Sequence, residues 1–408
     1  MNAVKSLFIL LLFAGLTSCQ PPKDKPIESQ YPKGSFGYDL DFLRQKDSVI
    51  VLNSKDGNGQ VIISPKYQAK VFTSTADGAK GKSFGWINYK TFDQKSLDAH
   101  MNAYGGEDRL WLGPEGGKFA FFFKPGTKMV FDYWHTPAAF DFESWKLTSK
   151  SDKKASLSKS TRVLNYAGVV FVLNVVRDIQ ILEPGDIKNM LGVNFDSKVK
   201  SVAFSTTNTI INTGPVAWDK KTGAPCLWNL DMFSPSAKTV IVVPYDNNAT
   251  GKVATTDYFG QIPPDRVKYS NGILLFKADG KSRGKLGMPP NRAKTMAGSY
   301  DAQNNVLTIA SFDMDPKATY LNQEWRTDRD PFIGDAVNAY NDGPLANGTQ
   351  MGPFYEIESV SPAAFLKPNE GLTHKHSVFH FTGDKDELNQ IALKTLGISL
   401  QAIQAAFK

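Results

Sequence analysis

Between residues 36 and 382 the chain offers one kind of segment over and over: five to fourteen residues rich in Val, Ile, Phe and Thr, bounded by Gly, Pro, Asn or Asp. Such runs suit a pleated, half-buried surface and end where turn residues take over. Strands are predicted at 48–52, 60–64, 84–88, 118–124, 162–167, 169–182, 199–212, 239–244, 272–278, 306–313, 355–361 and 377–382. Helical signals are few. Asp93 can cap a short helix reaching Tyr104, and Gly383-Asp384 introduce a helix over 385–396, with a continuation over 400–407. No fixed-period repeat is present, and the Ser/Lys-rich run at 147–160 reads as a loop. The fold class that follows is all-β: a large antiparallel β-sandwich with a few short helices, forming a single domain over 36–408.

The N-terminus reads differently. A short positive region, MNAVK, precedes the apolar run SLFILLLFAG, which is too short for a stable membrane span, and then LTSC. A small-residue site ending in cysteine resembles the bacterial lipobox. That resemblance implies a signal peptide over 1–18, lipidation of Cys19 and attachment to the bacterial cell envelope, periplasmic or outer-membrane. Residues 19–35, rich in Pro, Lys and polar groups, read as a flexible tether. With Cys19 acylated, Cys226 has no partner for a disulfide and is expected as a packed core thiol.

The net charge of +7 is scattered rather than clustered into a nucleic-acid-binding signature, so it leans only weakly towards anionic partners such as acidic glycans. No phosphate loop, dinucleotide glycine motif or nucleophile elbow is present, and no cofactor is expected.

Candidate chemistry begins at 105–117, GGEDRLWLGPEGG. On a strand, Glu107, Arg109 and Trp111 share one face. A carboxylate, a guanidinium and an indole together suit a sugar, the first two gripping hydroxyls and the indole covering the C–H face. An ion pair beside a packed tryptophan satisfies the same pattern. In FDYWHTP, Tyr133 and His135 share parity while Trp134 faces the other way, and His135 is a candidate proton shuttle or a structural ring. EWRTDRDP, at 324–331, reads as a structured loop offering Trp325 and Arg326 to a binding site, or as a salt-bridged surface. His374 and His380 would lie roughly 20 Å apart on one strand, so only His374 and His376 could share a centre, and no metal site is assigned.

Two segments carry a family resemblance. NTIINTGPVAW at 208–218, followed by LWNL at 227–230, resembles the central strands of aldose epimerases; YEIESVSP at 355–362, then LKPNEG at 366–371, resembles that family's glutamate-bearing strand and the turn after it. The resemblance implies the galactose-mutarotase-like supersandwich and a carbohydrate partner, with Trp228 in the sugar pocket and Glu356 or Glu358 as catalytic base. Pro225 stands where the family places its acid histidine, so an epimerase or other glycan-processing activity would need an acid from elsewhere, His135 or His100. Carbohydrate capture without turnover and a purely structural envelope role are the alternatives.

Overall fold

In the strand Val170–Ile181 every second residue is buried: Phe171, Leu173, Val175, Arg177, Ile179 and Ile181. This strict alternation sets one face of the strand against a second layer. The computed structural model describes residues 29–408; the signal segment, Cys19 and the first part of the tether lie outside the described residues.

Two antiparallel sheets form the sandwich. The larger has ten strands, in the order Val267–Ser270, Ile273–Lys277, Thr239–Pro244, Met296–Asp301, Val306–Phe312, Gly371–Gly383, Val199–Asn212, Val170–Ile181, Lys154–Leu164 and Lys146–Lys150. The smaller has five: Gly284–Met288, Val337–Asn341, Tyr355–Val360, Cys226–Phe233 and Arg109–Gly113. A three-stranded sheet of Ile50–Asn53, Gln60–Ser64 and Lys70–Thr75 packs with the helix Phe36–Arg44. The helices Pro184–Leu191, Lys385–Leu396 and Leu400–Ala405 cover the outer face of the large sheet, burying Ile187, Leu388, Ile391 and Ile403 against Val242, Ile309 and Phe379. The fold is an antiparallel β-sandwich with few short helices. Among the described residues no helix is long and apolar enough to cross a membrane.

Several expectations needed correction. Residues 84–88 and 118–124 form no regular strand; their backbones meet neighbours through isolated bridges, such as Gly85 with Phe233 and Phe123 with Trp134, and scattered hydrogen bonds. The run from Phe119 to Phe123 is buried at every position, so it has no solvent side on which alternation could operate. The helix expected from Asp93 to Tyr104 is replaced by a 3-10 turn, Tyr89–Asp93, that ends at Asp93. Beyond it, the Asp98 carboxylate accepts from the backbone N–H of His100 and Asp141 accepts from that of Asn102, so side-chain oxygens take donors a helix would have used. The run at 147–160 is not a loop but most of a strand pair, Lys146–Lys150 with Lys154–Leu164. At the N-terminal end of the described chain, Ser29 Oγ donates to Asp41 and Ser35 bridges to Lys82.

Polar groups fill part of the space between the two main sheets. Arg177 pairs with Asp108 at 3.0 Å, both fully buried. Ser359 Oγ lies 2.8 Å from both His374 Nε2 and His376 Nδ1, and His376 Nε2 lies 2.8 Å from Asp231. The two histidines that could share a centre therefore share a serine hydroxyl. Burial and the neighbouring His376 depress His374 to about 3, so it stays neutral. His380 bridges Glu107 and Thr308, each at 2.9 Å.

Candidate functional site

The five-stranded sheet turns its other face towards an open cleft. Pairing places Trp111 opposite Trp228, Arg109 opposite Leu230, Met232 opposite Glu356, Glu356 opposite Tyr340, and Tyr340 opposite Lys285. Directly paired residues point to one side of a sheet, so these side chains form a single wall. Arg109 donates to Glu356 at 2.5 Å, with both side chains nearly inaccessible. Trp228 Nε1 donates to Glu358 at 2.9 Å, and Lys285 Nζ pairs with the same carboxylate oxygen at 3.1 Å. Lys285 also sits 4.4 Å from the centre of the Trp228 ring, and Arg109 sits 4.8 Å from that of Trp111.

Loops supply the opposite wall. Trp134 donates to Glu115 at 3.0 Å and stacks on Trp325, whose ring lies 5.9 Å away at 24°. Phe259, Phe354, Met351 and Arg283 complete a space of about 580 Å³ including its open mouth. It widens past Trp134, Trp325 and Arg283 into a second cleft lined by His100, Asp98, Asp342 and Asn347. The lining is mainly aromatic with a few charged groups, which is the usual composition of a small-molecule site.

Burial pushes the Glu356 carboxyl up to about 8, against the opposing effect of Arg109. Burial likewise raises Glu115, over the opposing charge of Lys285. The cleft can therefore present a protonated Glu356 beside fixed cations in an aromatic setting.

Arg109, Trp111, Trp228, Trp325 and Glu356 all line the cleft, brought together from distant parts of the chain. Glu358 lies just beneath, holding Trp228 and Lys285. Glu107 does not join them. A bend at Glu107, after Gly105 and Gly106 at φ 88° and 125°, breaks the alternation before the strand starts at Arg109, and the carboxylate turns inward to Ser74 and His380. Arg326 points to solvent and pairs with Asp328. His135 lies outside the lining; its Nδ1 bonds Ala99 O and its ring stacks on His100 at 5.0 Å. Among the described residues, no histidine lines the inner pocket. Pro225 precedes the Cys226–Phe233 strand and is not in the lining, while Trp228 is. Cys226 is a buried free thiol whose pKa burial raises further.

Sequence reasoning missed Lys285, Arg283, Glu115 and Trp134. Lys285 carried a usable signal, since GKLGM places one lysine among small and apolar residues in a short strand. The others depend on loop paths. Gly116 shows how closely these loops meet: a Cβ there would lie 2.2 Å from Glu324 O.

Among curated proteins, the chain is 31% identical over 96 residues to the 7-cyano-7-deazaguanine synthase of Saccharolobus solfataricus, covering 23% of this chain and 20% of that protein. It is 27% identical over 99 residues to the same-named synthase of Sulfolobus acidocaldarius, covering 24% and 21%. The chain thus spans about a fifth of the length of the curated relatives it matches. Among solved structures, it is similar to a protein of Escherichia coli K12 provisionally assigned as an aldose 1-epimerase. The TM-score is 0.50 at 13% identity, over 82% of this chain and 98% of that one. A galactose mutarotase-like protein from Lactobacillus casei matches with TM-score 0.47 and 11% identity, over 82% of this chain and 100% of that one. At such identities the likeness is one of fold. Residues 34–407 match DUF6786, a family of unknown function, and the chain belongs to that family.

Proposed function

We propose that the aromatic cleft binds a carbohydrate, on a single β-sandwich domain over 36–408 tethered to the bacterial cell envelope through lipidated Cys19. The observation that carries this reading is the convergence of Trp111, Trp134, Trp228 and Trp325 around the Arg109–Glu356 pair. Indole faces cover the apolar side of a sugar ring, while the paired guanidinium and carboxyl meet its hydroxyls. The signal sequence and LTSC support the envelope location.

A second reading is turnover at an anomeric carbon, favoured by the protonated Glu356. Glu356 would then donate to the ring oxygen rather than act as base. That no histidine among the described residues lines the inner pocket weighs towards capture without turnover. Titration calorimetry with mono- and oligosaccharides tests binding, and exchange between anomers followed by NMR tests turnover. Saturable heat without exchange supports capture; no heat with any glycan would sink the carbohydrate reading.

A further inference from the structure

Arg283 stands where the inner pocket opens into the outer cleft and lines both. Its guanidinium lies 4.1 Å from the centre of the Phe259 ring, which fixes its plane. Its one hydrogen bond runs from Nε to Tyr340 Oη at 3.3 Å. Among the described residues no carboxylate comes within 4.0 Å of it. Of the other cations of this wall, Arg109 bonds Glu356 and Lys285 pairs with Glu358, and both are nearly inaccessible, whereas Arg283 is half-buried.

The nearby carboxylates are occupied as well. Glu115 accepts from Trp134, and Asp342 accepts from Tyr340 Oη and the backbone N–H of Gly352. Arg283 thus keeps a fork of unused N–H donors at the mouth of an aromatic pocket, aligned by a ring and a tyrosine hydroxyl. A planar fork of this kind matches a carboxylate or a sulfate through two parallel bonds.

We infer that the saccharide bound here is anionic, with a carboxylate or sulfate group received by Arg283 where the two clefts meet. This rests on the carbohydrate reading and adds the charge class of the ligand. The cleft beyond Arg283 gives room for further sugar units, so an acidic oligosaccharide is the expected form. Arg283 is then the residue that separates acidic from neutral glycans.

The test is titration calorimetry on the full chain with three matched sets of oligosaccharides, each in gluco and galacto forms: neutral, uronate and sulfate-bearing. Either anionic set should bind on the order of tenfold tighter than the neutral set at low salt, and the tighter of the two identifies the anion. In R283Q the ratio of anionic to neutral affinity should fall to about one, with the thermal melt unchanged. R283K should restore only part of the ratio, because an ammonium lacks the planar fork. Equal affinity for neutral and anionic sets, or an unchanged ratio in R283Q, overturns this inference and leaves carbohydrate binding standing. No binding by any set overturns both.

Discussion

Arg109 and Glu356 meet at 2.5 Å across the strand that separates theirs, joining residues 247 positions apart in the chain. The two partners differ in how they tolerate isolation. A buried carboxylate can take up a proton, whereas a guanidinium stays charged.

Removing the acid should therefore cost more than removing the base. E356L takes from the buried Arg109 its hydrogen-bonded side-chain partner and is expected to destabilise by about 3 kcal/mol. R109L should cost less at neutral pH, because Glu356 already favours its protonated form. Its folded-state pKa lies above the unfolded value, so its favourable share is lost as pH rises from 4.5 towards 8, and more steeply in R109L. Urea unfolding at pH 6 and pH 8 checks both orders.

Trp325 and its neighbour Arg326 should separate cleanly. W325A removes one face of the Trp134 stack and is expected to weaken saccharide binding on the order of tenfold. R326A should leave binding unchanged, because its side chain pairs with Asp328 in solvent. Calorimetry with one neutral oligosaccharide measures both.

Gly116 ties the GGEDRLWLGPEGG segment to the cleft. G116A forces a methyl group against Glu324 O, so the loop carrying Trp325 must shift. The expected result is weakened saccharide binding together with changed tryptophan fluorescence. A variant that binds as tightly as the native chain would show that the loop absorbs the clash.

His374 should make the protein acid-labile. Its folded pKa of about 3 lies below the ordinary 6.5, so between those values the unfolded chain binds more protons. Stability should fall as pH drops through that window, by about 2 kcal/mol from this group between pH 6.5 and pH 5. H374Q should flatten that part of the profile in denaturant titrations across pH 4 to 7.

The strands most legible in the sequence were those whose β-branched runs stop at clear turn residues. Gln60–Ser64, Val199–Asn212 and Thr239–Pro244 have the bounds that their β-branched runs and flanking turn residues suggest. The C-terminal helix was equally clear, since Asp384 caps it by accepting from Asp386 and Glu387 and Gly397 closes it at φ 73°. The helix Phe36–Arg44 was obscured by Gly37, which belongs there because a Cβ would strike the Tyr31 ring at 2.5 Å. Residues 118–124 misled because an all-buried aromatic run has no period to read.

The sequence by itself determined the β-rich class, the helical C-terminus and the pairing of Arg109 with Trp111 on one face, all of which follow from local periodicity and turn chemistry. Only the tertiary structure decided that Glu107 turns inward, that Trp134, Lys285 and Arg283 join the cleft, and that Arg109 meets Glu356. Those outcomes depend on sheet order and loop paths between residues hundreds of positions apart. Parity along one strand says which side a residue takes but not what waits there.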